Sequence, residues 1–212
     1  MKLKWFGQAC FLLISNLGTR VFMDPYKMFS HKVPEVEADI VTTSHDHFDH
    51  NYVKAVKGDF THINTAGNYT HEDIKITGTL TYHDDHLGTK RGSNIIFNFA
   101  VDGIKLCHCG DLGHLLTEEQ ITSIGKVDVL LVNVGGIGVI KAPEVFKVCK
   151  QLNPVITIPM HYKSKSLGFI GRLFAKVEKF LESAGGNAQE VDELTLDSKN
   201  ITDYAGIITM KY

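Results

Sequence analysis

Ile40-Val41-Thr42-Thr43-Ser44-His45-Asp46-His47-Phe48-Asp49-His50 is the stretch from which the fold is read. A short β-branched run stops abruptly at a segment that packs three imidazoles and two carboxylates into six residues. Neighbouring imidazoles repel once protonated, and neutral ones compete for few donors, so such density is costly unless something resolves it. A divalent cation does, because neutral imidazole and carboxylate are good ligands for zinc and other borderline first-row metals. In an extended loop His45 and His47 point the same way and can chelate one ion, while Asp49 and His50 can turn toward a second. The cluster therefore sits in a loop after a strand, where an α/β sheet places its binding groups. The competing reading is a solvated polar loop, which leaves the density unexplained. A metal site with an open coordination position acidifies bound water to a pKa of about 7, making hydroxide available at neutral pH.

Outward from this segment the chain alternates short apolar runs with turn residues. Residues 11–15 and 20–23 flank Asn16-Leu17-Gly18, a hairpin signature that ends at Asp24-Pro25. Strands are predicted at 74–82, 95–101 and 104–109, the last two joined by Asp102-Gly103. After residue 115 the pattern changes. Thr117-Glu118-Glu119-Gln120 reads as a capping box, 127–134 as a buried strand, Pro143 as the first turn of a helix reaching Leu152, and 155–160 as another strand. Apolar residues at 170, 173, 174, 177, 180 and 181 predict an amphipathic helix ended by Gly185-Gly186. Strand-rich stretches with interleaved helices predict an α/β (α+β) fold: a four-layer αββα sandwich of two mixed β-sheets with flanking helices, in a single domain over residues 1–212.

The composition narrows the function. With 43% hydrophobic and 22% charged residues the chain reads as an ordinary globular protein, and a net charge of -2 without like-charge blocks argues against nucleic acid or an acidic membrane surface as partner. No stretch approaches the roughly 20 apolar residues of a membrane-spanning helix. Residues 1–15 read as a first strand rather than a signal peptide, since the apolar run is short and carries Gln8. Four irregularly spaced cysteines, Cys10, Cys107, Cys109 and Cys149, suggest a reducing compartment, so a cytoplasmic location is expected. The expected partner is a small-molecule substrate, with a homo-oligomer left open.

His45-x-His47-x-Asp49-His50 resembles the signature of the metallo-β-lactamase superfamily. Asp111, in Cys107-His108-Cys109-Gly110-Asp111-Leu112-Gly113, matches that family's bridging aspartate, and His161, in Pro159-Met160-His161-Tyr162, its late histidine. Trp5-Phe6-Gly7, Gly135-Gly136 and Pro159-Met160-His161-Tyr162 resemble a compact, uncharacterised metal-dependent hydrolase branch related to bacterial lactonases. The resemblance implies one metal held by His45, His47 and a third histidine, a second held by Asp49, His50 and His161, and Asp111 bridging both. It also implies that the ions are divalent, zinc first, with manganese or iron as alternatives. The third histidine lies in Tyr82-His83-Asp84-Asp85-His86; His83 is preferred over His86 because it directly ends the strand pattern, which leaves His86 at the mouth. Asp24 is expected to accept the outer N–H of a ligating imidazole rather than to ligate.

Other residues read more plainly. Cys107 and Cys109 are too closely spaced for a zinc finger and read as core, and His108 between them should face the other way. His31, His62 and His71 read as surface or structural, and His114 as near the mouth. Relatives often carry histidine where this chain has Gln8, which cannot shuttle protons near neutral pH. Lys163, Lys165 and Arg172 are candidates to greet an anionic substrate, with a solvated basic loop as the alternative. Gly135-Gly136-Ile137-Gly138 offers backbone N–H groups but no nucleotide fingerprint. The expected activity is hydrolysis of an ester-like bond, a lactone or a phosphoester, by a metal-bridging hydroxide, with Asp49 or a metal-bound water as the catalytic proton donor. Two alternatives share the fold: a di-iron redox protein, for whose fused electron-transfer domain 212 residues leave no space, and a non-enzymatic metal-binding module.

Overall fold

The computed structural model describes residues 1–28, 31–136, 138–164, 167 and 171–212. Its first sheet runs in the order β17-β1-β2-β3-β7-β9, formed by Leu194–Thr195, Lys2–Trp5, Phe11–Ile14, Arg20–Met23, Ile40–Thr42 and Thr61–Ile63. The second runs β10-β11-β12-β13-β14-β15-β18-β16, formed by Gly67–His71, Ile74–Tyr82, Ser93–Val101, Ile104–His108, Val129–Asn133, Ile156–Met160, Gly206–Met210 and Gln189–Val191. Both sheets are mixed: β1, β2 and β3 are antiparallel but β3, β7 and β9 parallel, and β10 to β13 are antiparallel but β13, β14, β15 and β18 parallel. Two short ladders, β4 (Lys27–Met28) with β5 (His31–Lys32) and β6 (Val36–Glu37) with β8 (Val56–Lys57), lie between strands of the first sheet.

The two-residue period of a strand sorts side chains into layers. Leu3 and Trp5 turn inward while Lys2 and Lys4 face solvent. In β3 and β7, Val21, Met23 and Ile40 join the core between the sheets, while Phe22 and Val41 enter a smaller cluster on the opposite face. Facing them from the second sheet are Ile76, Phe97, Phe99 and Leu106 in the same main core. The central parallel strands β14 and β15 are buried along their whole length, as strands covered on both faces must be.

The sandwich expected from the sequence is present, with unequal outer layers. On the second sheet lie α1 (Glu118–Ile124), started by the expected Thr117–Gln120 capping box, and α2 (Ala142–Leu152), which packs Val145 and Val148 inward. On the first sheet the described covering includes the 3-10 turn Val53–Ala55 with its loops and, from further along the chain, Leu167 and Phe174. One expectation is corrected. The amphipathic pattern over 170–181 yields only a short α3 (Glu178–Ser183), with residue 170 outside the described residues. Ala175 instead donates its N–H to the Gly135 carbonyl and accepts from Lys163, at 2.9 and 2.8 Å, and so ties the chain to two loops rather than to a helical ladder. Phe174 still buries its ring, which is why the periodicity was misleading.

Candidate metal centre

Five strands end at one edge of the sandwich, and each delivers a polar side chain there: β3 is followed by Asp24, β7 by His45, β11 by His83, β13 by Asp111 and β15 by His161. The seven residues singled out from the sequence come together. His45, His47 and His83 form one group of potential ligand atoms lying within 4.8 Å of one another, Asp49, His50 and His161 a second, and His45, His50 and Asp111 a third. Asp111 sits between the first two groups. Its Oδ2 lies 3.1 Å from His83 Nε2 and 3.5 Å from His50 Nε2, and its Oδ1 lies 3.6 Å from His161 Nε2. His86 stays outside: its ring is half exposed and pairs with Asp85 at 3.2 Å.

The surrounding hydrogen bonds decide which ring nitrogens face inward. A carboxylate can only accept, so Asp24 Oδ2 takes the Nδ1–H of His50 at 2.7 Å and the hydroxyl of Ser44 at 2.6 Å. Having given its proton to Asp24, Ser44 Oγ accepts from His45 Nδ1 at 3.0 Å. Both imidazoles are thereby held with Nε2 directed away from Asp24. Asp24 is itself tied down by the Ser44 N–H at 2.7 Å. Neither Ser44 nor the role of Asn94 was legible in the motifs. Asn94 accepts the Asp111 N–H at 2.9 Å and donates to the Cys109 carbonyl, fixing the turn that presents Asp111. A Cβ at Gly113 would overlap the His83 backbone, so glycine lets the Asp111 and His83 loops touch.

Charge in this buried cluster is unevenly held. Burial opposes the charge of Asp111, but His161 and His50 outweigh it and keep the carboxyl well below its ordinary range. Burial likewise disfavours protonated His50, yet Asp111 and Asp24 lift it well above a free imidazole. His45 goes the other way: burial and then the His50 charge push it down to about 3, so its ring is neutral at pH 7. Burial and His83 lower His47. Asp49 is held ionised, since His161 and His50 outweigh the burial that opposes it.

Four atoms here are buried without a hydrogen-bond partner: His45 Nε2, His83 Nδ1, His161 Nδ1 and Asp111 Oδ1. His83 and His161 turn Nε2 toward Asp111 and leave Nδ1 on the far side of the ring, so the unpartnered atoms that belong to the cluster are His45 Nε2 and Asp111 Oδ1. An unpaired buried polar group costs about 1–3 kcal/mol, and these two, with His50 Nε2 and His161 Nε2 only 3.1 Å apart, are disposed as ligands of a cation would be. The donor set fits divalent metal.

The remaining expectations divide. His108 donates to or accepts nothing at the centre; its Nε2 bonds the Ala9 carbonyl at 2.7 Å, as a satisfied core histidine. His114 accepts the Tyr82 N–H and bonds the Leu115 carbonyl. Gln8 is fully buried with neither side-chain amide atom partnered, and its carbonyl accepts the N–H of His161. Lys163 is exposed, Arg172 is exposed and engaged with a partner, and Lys165 and Ile137 lie outside the described residues, as does the side chain of His31. His62 bonds Thr43 Oγ1 at 2.9 Å.

Comparison with known proteins gives the geometry a context. The β-lactamase superfamily domain matches residues 2–161. A metal-dependent hydrolase of Thermoplasma acidophilum is 27% identical, with 87% of this chain and 91% of the relative covered. Among solved structures, a candidate Zn-dependent hydrolase of the metallo-β-lactamase superfamily from Thermotoga maritima is 38% identical, with a TM-score of 0.81 over 99% of this chain and 97% of the other. The isothiocyanate hydrolase from Delia radicum gut bacteria shares the fold at 15% identity, with a TM-score of 0.67 over 99% and 96% of the two chains.

Proposed function

This chain belongs to the metallo-β-lactamase superfamily and is a metal-dependent hydrolase, and we propose that it cleaves an ester-like bond, a lactone or a phosphoester, in a small substrate. The observation that carries this reading is the convergence of seven ligand-type side chains on one edge of the sandwich, with His45 Nε2 and Asp111 Oδ1 buried and unpartnered among them. In it His45, His47 and His83 would hold one divalent ion and Asp49, His50 and His161 a second, with Asp111 between the two groups. Zinc suits the nitrogen-rich set best, with manganese or iron as substitutes. When bound, such ions supply Lewis acidity toward a carbonyl or phosphoryl oxygen and acidify the attacking water.

The chain's own residues do the rest. Asp111 offsets cation–cation repulsion in a site where charges are poorly screened. Asp24, directly and through Ser44, fixes the tautomers of His50 and His45. Asp49, less deeply buried than Asp111, takes the proton of the attacking water on a carboxylate oxygen and returns it to the leaving oxygen. Phe48 stands 61% exposed between His47 and Asp49 and offers the substrate an apolar contact. We further read residues 1–212 as one domain, supported by the single main core to which both sheets contribute, and the protein as cytoplasmic, supported by four unpaired cysteines. No helix among the described residues is long and apolar enough to cross a membrane.

Elemental analysis of the purified protein, combined with a panel of lactones, phosphodiesters and thioesters, tests this reading. About two ions per chain and turnover of a lactone or phosphoester are expected, with His47→Ala losing much of the metal. At most one ion in the presence of excess metal would sink the dinuclear assignment. Two ions without turnover of any ester would overturn the ester reading and point to another hydrolysable bond.

A further inference from the structure

A cavity of about 480 Å³ lies at the same edge of the sandwich, walled by loops that continue from the metal centre. Asp84 directly follows His83, Gly113 lies two residues after Asp111, and Gly138 closes the glycine segment whose Gly136 abuts the His161 ring. The volume is within the range of a small-ligand pocket.

Its charges are not paired with one another. The cavity is lined by Asp84, Asp85 and Glu144 but also by Lys90, Arg91 and Lys141. All three acids are engaged elsewhere. Asp84 accepts the backbone N–H groups of His86, Gly88, Lys90 and Arg91 at 2.7 to 3.0 Å. Asp85 pairs with His86, and Glu144 accepts the Lys141 N–H at 3.1 Å. The formal charges of the wall balance, three against three, but among the described residues none of the three cations forms an ion pair with these acids, so the side-chain N–H donors of Lys90, Arg91 and Lys141 are left for a ligand. Arg91 is also placed rather than merely exposed. Asp84 fixes its backbone, and its guanidinium lies so close to Gly138 that a Cβ there would overlap Nε and Cζ. Gly138 has a φ of +76°, so a side chain at this position is excluded twice over.

We propose that this cavity is the subsite for an anionic substituent of the substrate, an oxyanion gripped by Arg91 with Lys90 and Lys141, while the scissile bond lies at the metal centre. The substrate class rests on the hydrolase reading above; the anion site does not. A planar guanidinium with two flexible ammonium groups matches a carboxylate or a phosphate, in each case through charge-assisted hydrogen bonds.

The test follows amide chemical shifts of the metal-loaded protein during titration with inorganic phosphate and, separately, with succinate. Saturable shifts are expected at Arg91, Gly113 and Gly138, with affinity falling about tenfold or more in Arg91→Gln and less in Lys141→Gln. Whichever probe binds more tightly identifies the oxyanion. Shifts confined to residues 45–50, or an unchanged affinity in Arg91→Gln, would place the anion on the metal ions and overturn the subsite. In the kinetic arm, Arg91→Gln should raise KM for esters carrying an anionic substituent by a larger factor than for neutral esters of the same alcohol. Equal factors overturn the substrate assignment. A protein that binds the probe in the cavity yet cleaves no ester contradicts the ester reading and leaves the anion site standing.

Discussion

At Ser44 one hydroxyl links Asp24 to His45, so its loss should be felt at the far ring nitrogen, an atom it never touches. Ser44→Ala leaves His45 free to adopt either tautomer, and outer hydrogen bonds of this kind are worth about 10–100-fold in metal affinity. Competition against a chromophoric chelator should show that loss; an unchanged affinity would mean that packing alone orients the ring. Two histidines three residues apart invite a second comparison. His83 is buried against Asp111 whereas His86 is exposed, so His83→Ala should lower metal content and His86→Ala should not, by elemental analysis. The reverse result would transfer the role to His86. The ligand types themselves could be read from spacing, because a motif within six residues is local. Ser44 to Asp24 and Asn94 to Asp111 are relations across 20 and 17 residues, which only the folded chain brings together.

Between residue and sheet, the segment from Asp84 to Gly92 shows how one carboxylate organises an element. Burial opposes its charge, but four backbone N–H groups together outweigh it and hold the Asp84 pKa at about 2. A free aspartate titrates near 3.9, so the folded state favours the ionised form. Its contribution is present above pH ~4 and is lost as pH falls toward 2. Asp84→Asn should therefore lower the denaturant midpoint at pH 7, and the gap from the parent should close as the pH is taken from about 4 to 2. A gap independent of pH would assign the effect to shape rather than charge. Elements differed in how well their sequence foretold them. The Asp102-Gly103 hairpin and the capped α1 announce themselves through local turn and cap chemistry. The 170–181 pattern did not, because apolar spacing reports which residues are buried and not whether Ala175 bonds to a helix or to Gly135.

For the molecule as a whole, the centre is an unresolved electrostatic problem in the absence of cations. Asp24, His50, Asp111 and His161 are all fully buried or nearly so, and Asp111 Oδ1 and His161 Nδ1 find no hydrogen-bond partner within the chain. Ions that bind this arrangement and not the unfolded chain stabilise the fold by mass action, by about 4 kcal/mol per site when the free metal is ~1,000-fold above its dissociation constant. For a chain of this size each kcal/mol raises Tm by roughly 2–4 °C, so one saturated site is worth about 8–16 °C and two sites correspondingly more. Removing metal with a chelator should thus lower Tm by at least that amount, reversibly, and zinc should restore it in two steps if the sites differ in affinity. In Asp111→Asn the second step should vanish first, because the remaining amide leaves cation–cation repulsion uncompensated. Differential scanning calorimetry at several free-zinc concentrations measures this directly. A Tm indifferent to metal, in a protein that still binds it, would mean that the buried imidazoles and carboxylates satisfy one another without cations.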